Sequence, residues 1–404
     1  MRLIVLGGSA ASTPELFEAI ERWPGGVERR PALTVVLGGR SAEKLELVAR
    51  ACRTRLSGTG RTVVVETATE RRRALDGADV VVNQVRIGGL EARDFDESFP
   101  WLFDLPGEET MGPGGCANAL RTISALRETW RDASEIAPDA LIVNLTNPAG
   151  VVRQAAVREF PLRIIEVCDG PVTFLEAIGA RLRLPVSAVA QRYVGMNHLG
   201  WYVPDAQADL DAIMDLASGM DPGIVPAFQA LPTPYVGYYV HPDRLLEAQR
   251  SRPTRARTLL EMQARMLSAY ELLDAGDMPR RGAIWYAKVV VPVVDAWVNG
   301  TDELLVLGVA NGELLPEVPP EATVEVPHRA SRPGTLEALA PVARPGLVAA
   351  YLTRHGSYET LAVDAGLGGD RAARLRALLA NPMVASYDQA AGLLDAIERH
   401  DGAR

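Results

Sequence analysis

The chain has 404 residues, 48% of them hydrophobic and 23% charged, enough to bury the cores of two domains of about 100–200 residues each. A formal charge of -9 argues against a nucleic-acid footprint. No apolar run nears the ~20 residues that cross a bilayer, and the opening "MRLIVLGG" lacks a signal-peptide cleavage region, so a soluble, cytoplasmic protein with no membrane partner is expected.

In chain order, "RLIVLGG" is an apolar run ending in glycine, followed by "STPELFEAIERW", in which Ser12 or Thr13 is placed to cap a helix with Pro14 in its first turn. "ALTVVLGGR" (Ala32 to Arg40) and "SAEKLELVARAC" repeat that strand-turn-helix pattern. "DVVVNQVRIGG" and "ALIVNLTNPAG" supply two more strands, each running into a polar loop. Such alternation predicts a parallel sheet covered on both faces, with ligands beyond the carboxyl ends of its strands. Further on, "LRIIEVCDGP" and "AQRYVGMNHLGWYV" read as strands and "ARTLLEMQARMLSAYELL" as an amphipathic helix. The proline-rich Pro316 to Pro327 reads as an edge strand or connector. "RAARLRALLANP" and "YDQAAGLLDAIERH" close the chain as helices. The predicted fold class is α/β: a Rossmann-like parallel domain over residues 1–160, then a mixed α+β domain over 161–404.

The turn Gly7, Gly8, Ser9 is a loose dinucleotide fingerprint, with serine where a further glycine is usual. Its place between a strand and a helix start suits a pyrophosphate. The second strand usually ends in an acid that takes the ribose hydroxyls of NAD. Here it ends Gly38, Gly39, Arg40. Arg40 is either a surface charge or a receiver of a 2′-phosphate, which leaves NADP open beside NAD. Three cysteines, Cys52, Cys116 and Cys168, lie too far apart to form a disulfide framework. Each is expected to be a buried small hydrophobe, a ligand or a nucleophile.

An ordered series of stretches carries a resemblance: "TPEL", "NQVRIGGLEARDFDE", "GEETMGPGGCANALRTI", "NLTNPAG", "VCDGP", "GMNHLGW", "TPYVGYY", "TRAR" and "NGELLPEVPPEATVEVP". Together they resemble the NAD- and metal-dependent glycoside hydrolases of family 4, in the 6-phospho-glycosidase branch, over nearly the whole chain. That resemblance implies a lactate/malate-dehydrogenase-like architecture and a divalent metal, usually Mn²⁺, held by Cys168 and His198. It also implies hydrolysis in which NAD⁺ takes hydride from sugar C3, the C1 substituent is eliminated, water adds and the hydride returns. A thiolate and an imidazole leave open positions for sugar hydroxyls, which suits Lewis-acid chemistry.

The same resemblance makes Tyr235 the base for the C2 proton, with Tyr238 and Tyr239 as neighbours in the same stretch, and Asp169 an acid for the leaving oxygen. Arg93 and Arg255 are assigned to the phosphorylated sugar, where planar guanidiniums suit phosphate oxygens, and Arg86 to the nicotinamide or sugar end of the substrate site. Asn147 is expected at sugar hydroxyls or the cofactor ribose, and Asn197 at the substrate. Ser9, Glu108 and the Gly38-Gly39-Arg40 run depart from the family pattern, and the tract Arg280 to Gly300 is richer in apolar residues than the family suggests. A homo-oligomer, dimer or tetramer, is expected. Two rival readings are an NAD(P)-dependent 2-hydroxy-acid dehydrogenase, using a His–Asp pair without a metal cysteine, and a catalytically silent sugar-phosphate or nucleotide-binding protein.

Overall fold

Strand β1 (Arg2–Leu6) sends alternate side chains into different cores: Leu3 and Val5 into one helix layer, Ile4 and Leu6 into the other. Two-sided burial is what an unbroken apolar run dictates for a parallel strand. The computed structural model describes residues 1–26, 28–56, 62–272 and 279–402. Strands β2 (Leu33–Gly38), β3 (Val63–Ala68), β4 (Val80–Asn83), β5 (Leu141–Asn144) and β6 (Arg163–Glu166) join β1 in the parallel order β3-β2-β1-β4-β5-β6. Strand order reverses between β1 and β4, which opens a crevice at their carboxyl ends.

Helices α1 (Thr13–Glu21), α2 (Ala42–Arg55), α3 (Arg71–Leu75), α4 (Gly89–Ser98), α5 (Gly112–Ile136), α6 (Ala149–Glu159) and α7 (Asp169–Leu182) connect and extend these strands. Ser12 stands at the N-cap of α1 without a side-chain capping bond, and Pro14 follows in the first turn. The parallel stack continues to Glu166, past residue 160.

The second half prolongs the same sheet rather than building a separate one. Strands β7 (Tyr193–Met196), β8 (Leu199–Tyr202), β9 (Leu231–Pro232), β10 (Leu304–Ala310) and β11 (Thr323–Arg329) add antiparallel in the order β6-β10-β11-β7-β8-β9, and β12 (Glu337–Ala338) pairs with β11. Two expectations are corrected here. The stretch read as a single strand around "GMNHLGW" is a hairpin whose two-residue turn is Asn197 and His198, with His198 in the left-handed region at φ 61°. The proline-rich stretch is a connector as far as Ala322, carrying Pro316, Pro319 and Pro320, but its remainder is not an edge strand: Thr323–Arg329, which includes Pro327, lies inside the sheet between β10 and β7.

The apolar tract that the resemblance left unexplained turns out to be core. The π-helical turn Tyr286–Val290 and the helix Val291–Asn299 pack on the β1 face beside α1, and Trp23 Nε1 donates to the buried Asp295 Oδ1 at 2.7 Å. The helices Gly346–Gly366, Arg371–Ala380 and Tyr387–Gly402 contribute to the core on the opposite face with α5 and α6. Among the described residues no helix is long and apolar enough to cross a membrane.

Candidate active site

The carboxyl ends of the parallel strands open on a cleft of about 1880 Å³. Ordinary small-ligand pockets hold about 300–1,000 Å³, so the cleft has room for a dinucleotide and a second ligand together. Gly7, Ser9 and Arg40 line one end; Arg86, Arg93, Asn147, Cys168, Asp169, His198 and Tyr235 line the remainder. Gly7 has φ +82°, and a Cβ there would sit 3.0 Å from the Gln84 carbonyl oxygen.

Three expected contributors stand elsewhere. A Cβ on Gly8 would lie 2.8 Å from Leu37 Cα, so this glycine lets the turn pack against β2 and does not line the cleft. Asn197 is buried, its Nδ2 donating to Glu166 Oε1 at 2.8 Å and Glu325 Oε1 at 3.3 Å, so it braces the hairpin turn from behind. Arg255 begins the helix Arg255–Leu272 on the exposed surface, outside the lining.

At the centre of the cleft the topology brings together two donors from different strands. Cys168, two residues past the end of β6, caps α7, and its Sγ accepts a hydrogen bond from Gly170 N at 3.4 Å. Burial pushes the Cys168 thiol well above its ordinary pKa, and the nearby carboxylates of Glu325 and Asp169 add to this. His198 is set by the left-handed turn so that its ring stacks on Tyr235, centroids 3.7 Å apart and planes 9° from parallel. Its Nδ1 is enclosed, has no hydrogen-bond partner and lies 3.7 Å from Glu108 Oε2. A buried nitrogen without a partner is uncommon and marks a place for a ligand atom.

The donor set therefore fits a cation that takes one thiolate and one imidazole. Among the described residues no group of three or more His, Cys, Asp or Glu side chains is arranged to hold a metal, so further ligands would come from substrate or water. Of the neighbouring tyrosines, Tyr235 faces the cleft. The Tyr238 hydroxyl accepts from Gln249 Nε2 at 3.2 Å, and the Tyr239 hydroxyl lies 3.2 Å from His355 Nδ1. Burial, then the charges of Glu108 and Cys168, raise the Tyr235 phenol above its ordinary pKa. Asp169 opens α7, where a carboxylate is favoured by the free N–H groups of the first turn.

Behind this corner lies a polar layer that sequence reasoning missed. Glu166 on β6 and Glu325 on β11 are 0% and 3% exposed, and the Tyr193 hydroxyl donates to Glu325 Oε2 at 2.7 Å. Burial and then Glu325 raise the Glu166 carboxyl. Acids are surface residues by default, and only the meeting of β6, β10, β11 and β7 brings these two together.

Glu109 is the other missed residue. Arg86 forks onto its carboxylate, Arg93 Nη1 approaches Glu109 Oε1 at 2.7 Å, and Asn147 Nδ2 donates to the same oxygen at 3.2 Å. Burial opposes ionisation of Glu109, but the guanidiniums of Arg86 and Arg93 outweigh it and hold the carboxyl at about 2. Arg93 is further paired with Glu97 at 2.6 Å. Arg86 and Arg93, the two expected substrate arginines that line the cleft, are thus already ion-paired within the chain. The doubled acid of "GEET" ahead of a glycine-rich helix start was the available signal.

A reversed strand order with a glycine turn at one end of the cleft and ionisable side chains at the other defines an α/β enzyme on a dinucleotide-binding scaffold. The chain belongs to the family 4 glycosyl hydrolases: the model of that family matches residues 4–184, and the model of its C-terminal domain matches 193–384. It is therefore a glycoside hydrolase rather than a dehydrogenase or a silent binding protein. Over 98% of its length it is 27% identical to a probable 6-phospho-beta-glucosidase of Bacillus subtilis, covering 95% of that protein.

Among solved structures it resembles the 6-phospho-beta glucosidase of Thermotoga maritima with NAD and glucose-6-phosphate, at TM-score 0.88 and 22% identity, covering 100% of this chain and 99% of that one. It also resembles a 6-phospho-alpha-glucosidase from gut microorganisms in complex with NAD and Mn²⁺, at TM-score 0.86 and 23% identity, covering 99% and 98%. A lactate dehydrogenase from a deep-sea metagenome shares the fold at TM-score 0.53 and 12% identity, covering 90% and 98%, which matches the expected architecture.

Proposed function

We propose that the chain cleaves 6-phospho-glucosides, with NAD in the cleft and a divalent cation such as Mn²⁺ at Cys168 and His198. The observation that carries this reading is the convergence of Cys168, His198, Tyr235 and Asp169 on the same cleft as the glycine turn. The names of its relatives and structural neighbours, phospho-glucosidases of both anomeric kinds, support it.

The nicotinamide supplies reversible hydride acceptance at a sugar carbon. The cation supplies Lewis-acid stabilisation of negative charge on sugar oxygens, together with positive charge beside the Tyr235 phenol. The remaining steps are assigned to the chain's own groups. Cys168, at the N-cap of α7, and His198, in the turn between β7 and β8, would hold the cation, both carried by ends of the sheet. Tyr235, stacked on His198, receives the C2 proton, and Asp169 donates one to the leaving oxygen. Asn147 and Glu109 fix the positions of Arg86 and Arg93 beside the sugar.

We also infer a homo-oligomer, supported by apolar surface left open on two packed elements. Leu102 is 80% and Tyr387 62% exposed, and Gln389 Nε2 donates to the Phe103 carbonyl between them at 2.9 Å. The test of function is a screen of nitrophenyl α- and β-glucosides, with and without a 6-phosphate, in the presence of NAD⁺, Mn²⁺ and a reductant. Turnover confined to phosphorylated substrates with both additives is expected. Turnover that persists without either additive would overturn the reading.

A further inference from the structure

The cations lining the cleft fall into two groups. Arg71 and Arg72 are paired with Asp132, and Arg86 and Arg93 with Glu109. Arg40 and Lys44 lie at the β2 end and have no side-chain partner among the described residues; the third such cation is Arg281, on the other side of the glycine turn. Its guanidinium makes no hydrogen bond or ion pair among the described residues, and its Cζ lies 4.8 Å from the centroid of the Trp285 ring. Burial, and then the neighbouring charges of Arg86 and Arg93, bring that half-buried cation down to about 10. Of the three guanidiniums at this corner, Arg86 and Arg93 are ion-paired with Glu109 and Glu97, whereas Arg281 has no ion pair among the described residues.

The backbone of Arg281 is held in place. Glu15, in the first turn of α1, accepts from Arg281 N at 2.8 Å and from Ala283 N at 2.6 Å. A carboxylate at that helix start would otherwise repel a phosphate near the glycine turn. Here it is occupied by two backbone donors, and one of the residues providing them brings a cation into the cleft. On the next turn the Tyr286 hydroxyl donates to Gln84 Oε1 at 2.7 Å, and Gln84 Nε2 donates to the Gly7 carbonyl at 3.2 Å. The backbone of Arg281 is therefore fastened to α1, and the turn that follows it is fastened through Tyr286 and Gln84 to the glycine turn, while its charged group remains uncommitted. A restrained guanidinium without a counter-ion is preorganised for phosphate oxygens.

We propose that Arg281 is the phosphate anchor of the cleft, its guanidinium receiving a phosphate group of a bound ligand where Arg86 and Arg93 are closed off by Glu109. Resting on the functional reading above, that group is either the 6-phosphate of the sugar or the diphosphate of the dinucleotide. Calorimetric titration of the wild type, Arg281→Gln and Arg281→Lys with glucose 6-phosphate, NAD⁺ and inorganic phosphate distinguishes the two.

Arg281→Gln should lower affinity by about tenfold or more for the ligand whose phosphate it holds, as expected on losing a charge-assisted hydrogen bond. Arg281→Lys should recover part of the loss. A loss confined to glucose 6-phosphate assigns the sugar phosphate, a loss confined to NAD⁺ assigns the diphosphate, and either supports the anchor. Because the guanidinium has no hydrogen-bond or ion-pair partner and only stacks on Trp285, the melting temperature of Arg281→Gln should fall little. Unchanged affinity for all three titrants overturns the proposal. A wild type that binds inorganic phosphate through Arg281 but not glucose 6-phosphate would refute the substrate reading and leave the anchor standing. A wild type that binds none of the three refutes both.

Discussion

Replacing Glu109 by glutamine isolates the electrostatic joint on which the arginine corner depends. In the folded chain the Glu109 carboxyl sits at about 2 against an ordinary 4.5, with Arg86 and Arg93 as its partners. A depressed acid contributes stability that is fully present above its ordinary value and is lost as pH falls through the folded one. Here that window runs from 4.5 down to about 2. A difference of ~2.5 units at about 1.36 kcal/mol each gives ~3 kcal/mol at neutral pH. Its side chain is only 6% exposed, so solvent screening removes little of this.

Glu109→Gln should therefore unfold in urea at pH 7 with a free energy lower by ~3 kcal/mol, the range for a buried pair deprived of one partner. Between pH 4.5 and 2 it should also lose part of the acid sensitivity seen in the wild type. With their counter-charge gone, Arg86 and Arg93 should bind inorganic phosphate more tightly than in the wild type. A variant within about 0.5 kcal/mol of wild type at pH 7, the range of a neutral surface change, would show that the three groups do not act as a unit.

The other predictions are shorter. Cys168→Ser and His198→Ala should each abolish Mn²⁺ stimulation and weaken Mn²⁺ binding measured by titration, and a variant with full stimulation would remove that residue from the site. Tyr235→Phe should lower kcat by about 10²-fold or more, the contribution of a general base, and should suppress deuterium incorporation at sugar C2 in D₂O; undiminished incorporation would show that another group takes the proton. NADP⁺ should bind within about tenfold of NAD⁺, about 1.4 kcal/mol, because the residues that follow β2, Gly39 and Arg40, include no acid, and Arg40→Asp should move the preference to NAD⁺. NADP⁺ binding roughly a hundredfold weaker than NAD⁺ would show that Arg40 takes no part.

What the sequence discloses follows burial and distance along the chain. Strands β1, β2, β4 and β5 are legible because both faces are covered and their apolar runs are unbroken. Strand β3 is an edge with alternating exposure, so "VVVETA" carries a weaker pattern and was missed. The turn at Asn197 and His198 hides inside an apolar stretch, since a histidine in the left-handed region gives none of the signal that a glycine would. Cys168, His198 and Tyr235 became readable through motif order alone; nothing in their periodicity marks them. Glu109, Glu325 and Arg281 are charged residues that would be placed on the surface by default. Their roles arise from contacts such as Glu15 with Arg281, separated by 266 positions, which no local pattern encodes.

The charges that the fold leaves unpaired divide the cleft into three stations. Arg40 and Lys44 stand where the second strand ends, the place of the adenosine ribose in such folds. Glu108, Asp169 and Glu325 surround the thiol and imidazole at the centre, where an added cation would be held by negative charge on several sides. Arg281 returns a positive charge close to the Arg86–Glu109–Arg93 joint. A dinucleotide laid from the first station with its nicotinamide towards the second brings its redox-active end to the carboxylate-rich corner. A sugar between that corner and Arg281 would then present its ring hydroxyls to the cation site and a phosphate to the remaining guanidinium. The same layout gives Glu109 a reason to be an acid: neutral, it would release Arg86, and Arg93 in part, to compete with Arg281 for one phosphate, and binding would become stronger without becoming directional.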